Sequence, residues 1–290
     1  MTRKRLILSA FACVLAITGG LALGQRFRGP RHSPYDGIPA DRAGVPGWEA
    51  DARFKDDVFT FVRVQYDSHG RGGGRGWGWG GGGGWATDWP DSDLNFSYRL
   101  QQLTSLKVNP EPISLRLTDE TLFDYPFLYM IEVGRLSFSE EEVQALRHYL
   151  LNGGFLMVDD FWGDSAWENF YRQVKRVFPD REPKELPLTH EIFRCVYRLK
   201  EKPQVPSIHA YLATEDPSIT WEEGHGGNVR EVHYRGISDD KGRLMAILCH
   251  NTDLGDGWER EGQDPGYFKE FSEKKAYPMG INIVTYAMTH

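Results

Sequence analysis

The stretch "GGFLMVDDFWG", Gly153–Gly163, decides the fold. Asn152, Gly153 and Gly154 close an amphipathic run and read as a helix stop. Phe155 to Val158 are then continuously apolar, the pattern of a strand covered on both faces rather than on one. Asp159 and Asp160 follow, with Phe161, Trp162 and Gly163 making a turn. Ser165 and Glu168 have the spacing of a capping box, ahead of a stripe of Trp167, Phe170, Val174 and Val177 that Pro179 ends. A doubly covered strand that turns sharply into a helix is a unit of a parallel α/β sheet.

The same alternation extends in both directions. Val58–Tyr66 ("VFTFVRVQY") is β-branched and aromatic, and predicts a strand. A helix is expected over Asp91–Lys107, with Phe96, Leu100 and Leu103 on one face. Ile113–Leu117 reads as an edge or half-exposed strand, and Phe127–Val133 ("FLYMIEV") as another strand buried on both faces. Ser139 with Glu142 forms a capping box for a helix carrying Val143, Leu146 and Leu150. Beyond Arg181 the pattern loosens, with one strand expected near Phe193–Tyr197. Two strand-like runs flank Ser238–Gly242 as a hairpin, and Pro278 suits the first turn of a final helix. The whole reads as a three-layer α/β/α sandwich, a mostly parallel sheet between helices, with a late β-hairpin and a C-terminal helix.

The ends of the chain carry other information. Arg3, Lys4 and Arg5 precede an apolar run, Leu6–Ile17, and small residues at Ala22–Gly24, which is the layout of a secretory signal peptide over residues 1–24. Residues 25–49 are rich in Pro, Gly and Arg and read as a disordered linker, leaving residues 50–290 as the folded domain. Cleavage would remove three basic residues and no acids, leaving 31 basic and 41 acidic side chains. So acidic a surface disfavours nucleic acid and anionic membrane as partners. The expected setting is the periplasm or cell envelope, tethered to the membrane if the signal stays uncleaved, with no transmembrane domain after cleavage. An oxidising compartment would permit Cys195 and Cys249 to pair, and two buried free thiols are the alternative. Residues 69–85 form a Gly/Trp-rich insertion, with glycine at eleven of the fifteen positions from Gly70 to Gly84. No Gly-Lys-Ser/Thr ending follows, so the tract reads as a flexible loop rather than a phosphate cradle.

Ligands of open parallel sheets collect outside the carboxyl ends of the strands. The expected strand ends bring Asp67, Glu132, Asp159, Asp160, Trp162, His250, Asn251 and Asp253 toward one acidic crevice. Asn251, Asp253 and Asp256 offer hard oxygen ligands and are candidates for a divalent cation, although their spacing departs by one residue from the familiar calcium loop. Carboxylates beside Trp162 or Trp258 would equally suit a polyol or sugar. An Asp at a strand end that merely caps the next helix is the structural alternative. Nucleophilic catalysis finds no support, because Gly-x-Ser-x-Gly and Gly-x-Cys-x-Gly are both absent.

The strings "DDVFTFVRVQYDS" (56–68), "WATDWPDSDLNFSYRLQQLTSLKV" (85–108), "GGFLMVDDFWG", "CHNTDLGDGWEREG" (249–262) and "YPMGINIVTYAMTH" (277–290) resemble the bacterial domain-of-unknown-function family number 4159 across nearly all of residues 50–290. More distantly, the layout is similar to the class I glutamine-amidotransferase-like fold, which implies a flavodoxin-like sandwich. The elbow that would carry that fold's cysteine holds Asp160-Phe161-Trp162 instead, so amidotransferase activity does not follow. The expectation is a non-catalytic domain binding a small-molecule or carbohydrate ligand, or an envelope protein partner. The competing expectation is a hydrolase acting on a carbohydrate or cell-wall substrate through paired carboxylates.

Overall fold

The computed structural model describes residues 33–50, 52–54, 57–68 and 84–290. The signal-peptide reading, the start of the linker and nearly all of the Gly/Trp-rich insertion fall outside the described residues. The strands are β1 (Val62–Gln65), β2 (Asp67–Ser68), β3 (Ile113–Arg116), β4 (Phe127–Ile131), β5 (Leu136–Ser137), β6 (Phe155–Asp159), β7 (Lys184–Glu185), β8 (His233–Ser238) and β9 (Leu244–His250). Seven of them form one sheet in the order β3-β1-β4-β6-β9-β8-β7. The first five run parallel, and β8 and β7 join antiparallel. β2 and β5 pair separately beside the sheet.

The side-chain alternation of each strand feeds two apolar cores. On β4, Phe127, Tyr129 and Ile131 face one core while Leu128 and Met130 face the other. The first core is closed by α1 (Asp91–Leu103) through Phe96 and Leu100, by α4 (Ile208–Thr214) through Ile208, by α5 (Leu254–Glu259) through Trp258, and by α6 (Tyr277–Thr289). The second is closed by α2 (Glu140–Leu151) and α3 (Gly163–Val177) through Val143, Leu146, Phe170 and Val174. Helices therefore cover both faces, which explains why β4 is apolar throughout and β6 is apolar up to its last residue, Asp159. From β1 the chain steps out to β3 by way of α1, then back across to β4, so the strand order reverses between β1 and β4. Such a reversal opens a crevice at the carboxyl ends of the strands. Among the described residues no helix is long and apolar enough to cross a membrane.

Several local expectations change. Ser139 and Glu142 do form the capping box of α2, with Glu142 N–H donating to Ser139 Oγ and Ser139 N–H to Glu142 Oε2. Ser165 does not cap α3, which begins two residues earlier at Gly163; its first N–H is taken by Asn251 Oδ1 at 2.8 Å, a cap supplied from across the sheet. No strand forms over Phe193–Tyr197. There the N–H groups of Val196 and Tyr197 are held by Asn282 Oδ1 at 3.1 and 2.8 Å, which ties the segment to α6 instead of to a strand neighbour. Cys195 and Cys249 are both free thiols. Within the stretch expected as linker, Trp48 Nε1 donates to Val108 O at 2.8 Å and Arg42 reaches Glu111 and Pro110 O, so residues 42–48 lie against the domain. Ahead of α6, Phe268–Ala276 winds as a π-helix that runs directly into it.

Candidate functional site

Three neighbouring strands end the same way. Glu132 after β4, Asp160 after β6 and Asn251 after β9 all have left-handed backbones, with φ of 54°, 49° and 61°. Non-glycine residues adopt this conformation at a cost and collect at functional turns. The pairing continues past the strands, since Glu132 N–H donates to Asp160 O at 3.0 Å and Asp160 N–H to Thr252 O at 3.2 Å. This fixes the main chain of the elbow while turning its side chain out of the strand alternation.

Asp159 is wholly buried. Its Oδ2 accepts from the Tyr129 hydroxyl at 3.1 Å and from Gly255 N–H at 3.0 Å, and its Oδ1 has no partner among the described residues. Burial pushes its pKa up to about 7, against the opposing Gly255 and Tyr129 hydrogen bonds. Asp160 Oδ1 accepts from Trp162 Nε1 at 3.3 Å. Burial and then the nearby charge of Glu132, Asp88 and Glu222 hold Asp160 well above the usual carboxylate range.

Next to the elbow, Asp253 caps α5 by accepting from Asp256 N–H at 2.7 Å. Asp256 in turn accepts from Ile208 N–H, from the Tyr267 hydroxyl at 3.3 Å and from Arg260 Nε at 3.4 Å. Asp88 arrives from the loop ahead of α1, with a left-handed φ of 60°, and its Oδ2 is buried without a partner. One carboxylate oxygen from each of Asp88, Asp253 and Asp256 lies within 4.8 Å of the others. Gly255 leaves room between them: a Cβ there would stand 2.8 Å from the Tyr129 hydroxyl, 3.2 Å from Asp88 Oδ2 and 3.5 Å from Asp253 Oδ1. Burial first, and then mutual repulsion, raises Asp88 and Asp253; burial raises Asp256. Burial and like charge both favour the neutral form of carboxylates gathered in this way, and a nearby cation favours the ionised form.

On the other side of Trp162, His225 Nε2 meets Glu222 Oε2 at 3.2 Å, and its ring stacks on Trp162 at a centroid distance of 6.1 Å. The Glu222 hydrogen bond raises the His225 pKa. Burial alone would raise Glu222, but His225 and the Ser207 N–H bring it below its usual value.

Asp159, Asp160, Trp162, Asp253 and Asp256 thus come together, joined by Asp88, Glu222 and His225. The other expected residues have different surroundings. Asp67 is exposed on β2, with Arg116 at 3.3 Å. Glu132 is exposed beside the elbow. Asn251 is a scaffold, since its Nδ2 donates to Asn228 O and Glu231 O, both at 2.8 Å, while its Oδ1 caps α3. His250 is buried between Phe161 and His233, with Nε2 at 3.1 Å from Gly163 O and Nδ1 at 3.1 Å from Arg235. Burial depresses its pKa to about 3, so it is neutral at physiological pH. Trp258 lies wholly within the apolar core and offers no face to a sugar.

Asp88 is not among the residues that strand ends predict, because it lies in the approach to α1 rather than directly after a strand. His225 follows no strand either, and the glycines on both sides of it are the available signal: Gly224, Gly226 and Gly227 all have positive φ.

The profile of a family described as "Domain of unknown function (DUF4159)" matches residues 60–288, and the chain belongs to that family. No curated protein matches it.

Proposed function

We propose that this DUF4159 domain is a binding domain whose acidic crevice seats a hard divalent cation on Asp88, Asp253 and Asp256. The observation that carries the reading is the convergence of three carboxylate oxygens within 4.8 Å, with Asp88 Oδ2 buried and unpartnered among the described residues. Hard cations take oxygen ligands, and calcium accepts the mixed, irregular sets that loops supply. Arg260 offsets part of the charge through Asp256 and Glu259, which leaves Asp88 and Asp253 for the ion. As part of the same proposal the chain is exported and works in the cell envelope, and its fold is akin to the glutamine-amidotransferase-like group with Asp160 in the place of the nucleophile.

The test is calorimetry on chelator-stripped protein titrated with CaCl2, MgCl2 and MnCl2, alongside Asp88→Asn and Asp253→Asn. Asparagine tolerates the left-handed backbone at 88 and caps a helix as well as aspartate does at 253, so both variants remove charge and keep the fold. At a hundredfold excess over Kd, one bound ion adds about 2.7 kcal/mol, worth roughly 5–11 °C in Tm for a domain of this size. Absence of both heat and a Tm shift with all three ions would overturn the reading.

A second reading, the carbohydrate hydrolase, draws on the split between Asp160, shifted above the usual carboxylate range, and Glu222, shifted below it, because acid–base pairs are recognised by such opposed shifts. It predicts cation-independent turnover on a glycan panel that Asp160→Asn abolishes.

A further inference from the structure

Arg63 belongs to none of the groups that line the crevice, and its surroundings are unusual for a residue in the middle of a strand. It lies on β1, opposite Tyr129 of β4, and is wholly buried. Burying a guanidinium is costly unless each of its donors is matched. Here they are. Nε donates to Asp93 Oδ1 at 3.2 Å, and Nη2 to Asp93 Oδ2 and to Ser92 Oγ, the latter at 2.9 Å. Nη1 donates to two main-chain carbonyls, Trp85 O at 3.1 Å and Thr87 O at 2.8 Å. The guanidinium also stands 4.9 Å from the centre of the Tyr129 ring, whose hydroxyl bonds Asp159.

These contacts bracket the short turn, Asp88 to Asp91, that carries Asp88. Trp85 and Thr87 precede Asp88; Ser92 and Asp93 follow it in the first turn of α1. Asp88 itself makes no side-chain hydrogen bond through its buried Oδ2 and sits in a left-handed backbone that aspartate tolerates rather than prefers. Its local support is a main-chain turn, in which Ser92 N–H donates to Asp88 O at 3.0 Å. The strained position is therefore held from its flanks, and the fork that holds the flanks comes from the rigid sheet.

We propose that Arg63 is a positioning residue for the cation seat: it clamps the Trp85–Asp93 turn to β1 and so holds Asp88 at coordinating distance from Asp253 and Asp256. The planar fork matters as much as the charge. A lysine in its place would keep an ion pair with Asp93 but could not reach the carbonyls at 85 and 87 at the same time. The inference rests on the cation reading above and adds to it a residue that never touches the ion.

The experiment compares calcium affinity with fold stability in three variants of the full chain. Arg63→Lys loses the carbonyl clamp. Asp93→Asn weakens the buried pair but leaves Arg63 bonded to Trp85 O and Thr87 O. Arg63→Met/Asp93→Leu removes both charges, a replacement that buried pairs commonly tolerate, and keeps the test valid if Arg63→Lys does not fold. Supporting groups behind metal ligands typically govern affinity by about 10–100-fold. The expected result is a loss of calcium affinity of about tenfold or more in Arg63→Lys and in the double variant, with near wild-type affinity in Asp93→Asn even where its Tm falls as far. Affinity that simply follows Tm across all three, or a folded Arg63→Lys that binds calcium like wild type, would overturn the positioning role. Wild-type protein that takes up no calcium would instead overturn the cation reading on which it rests.

Discussion

Asp159 gains its proton near neutrality only in the folded chain, and Asp159→Asn makes that measurable. Its carboxyl is wholly buried, and its pKa stands at about 7 against an ordinary 3.8. Because the folded value is the higher one, the folded chain binds the proton more tightly than the unfolded chain does. The group's stabilising contribution is therefore complete below about pH 4 and is lost as pH rises through about 7. At 1.36 kcal/mol per unit, the full span is on the order of 4 kcal/mol, of which about 2.6 kcal/mol is lost between pH 5 and pH 8. Asparagine carries no charge at any pH. Its Oδ1 can still accept from Tyr129 and Gly255, while its Nδ2 stands where Asp159 Oδ1 now lacks a partner, a cost of about 1–3 kcal/mol that does not vary with pH. The assay is urea unfolding in chelator, followed by tryptophan fluorescence at unit steps from pH 5 to pH 8. Wild type should lose about 2.6 kcal/mol of its advantage over the variant across that range. A difference that stays constant with pH would refute the buried, protonated carboxyl.

Gly255→Ala should cost about 1–3 kcal/mol and weaken cation uptake, because its Cβ would crowd the Tyr129 hydroxyl and Asp88 Oδ2; thermal unfolding with and without calcium checks both effects. Glu222→Gln removes the carboxylate that raises the His225 pKa, so an NMR titration should find that imidazole losing its proton at lower pH; an unmoved midpoint counts against the pairing. Asn251→Ala strips the cap of α3 and two carbonyl partners at once, and should lower stability by about 3 kcal/mol or more in denaturant unfolding.

The central strand β6 was legible because Phe155–Val158 has no polar position, and such a run has few homes outside a doubly covered parallel sheet. The position of the two acids behind it, at the carboxyl end of a central strand, was legible for the same reason. Sequence could not supply the third dimension of the crevice. Asp88 lies far from Asp253 along the chain and reaches it only because β1 and β9 lie in the same sheet. Nor could residue type distinguish a ligand from a brace. Asn251 and His250 carry the right atoms for binding, yet every polar atom of the Asn251 side chain and both ring nitrogens of His250 are already bonded within the fold. Ser165 misled for a related reason: a capping box read locally lost to a cap delivered from another strand end.

The left-handed turn at Asp160 imposes two separate demands on one position, which makes its tolerance to substitution readable as a code. Glycine would keep the turn and abandon the carboxylate, while glutamate would keep the carboxylate and strain the turn. Asparagine would keep the turn and an acceptor for Trp162 while discarding the charge. Aspartate alone among the acids satisfies backbone and charge together. In a saturation library, variants selected for folding should therefore accept Gly, Asn and Asp at this position, and on the hydrolase reading selection for glycan turnover should narrow that set to Asp.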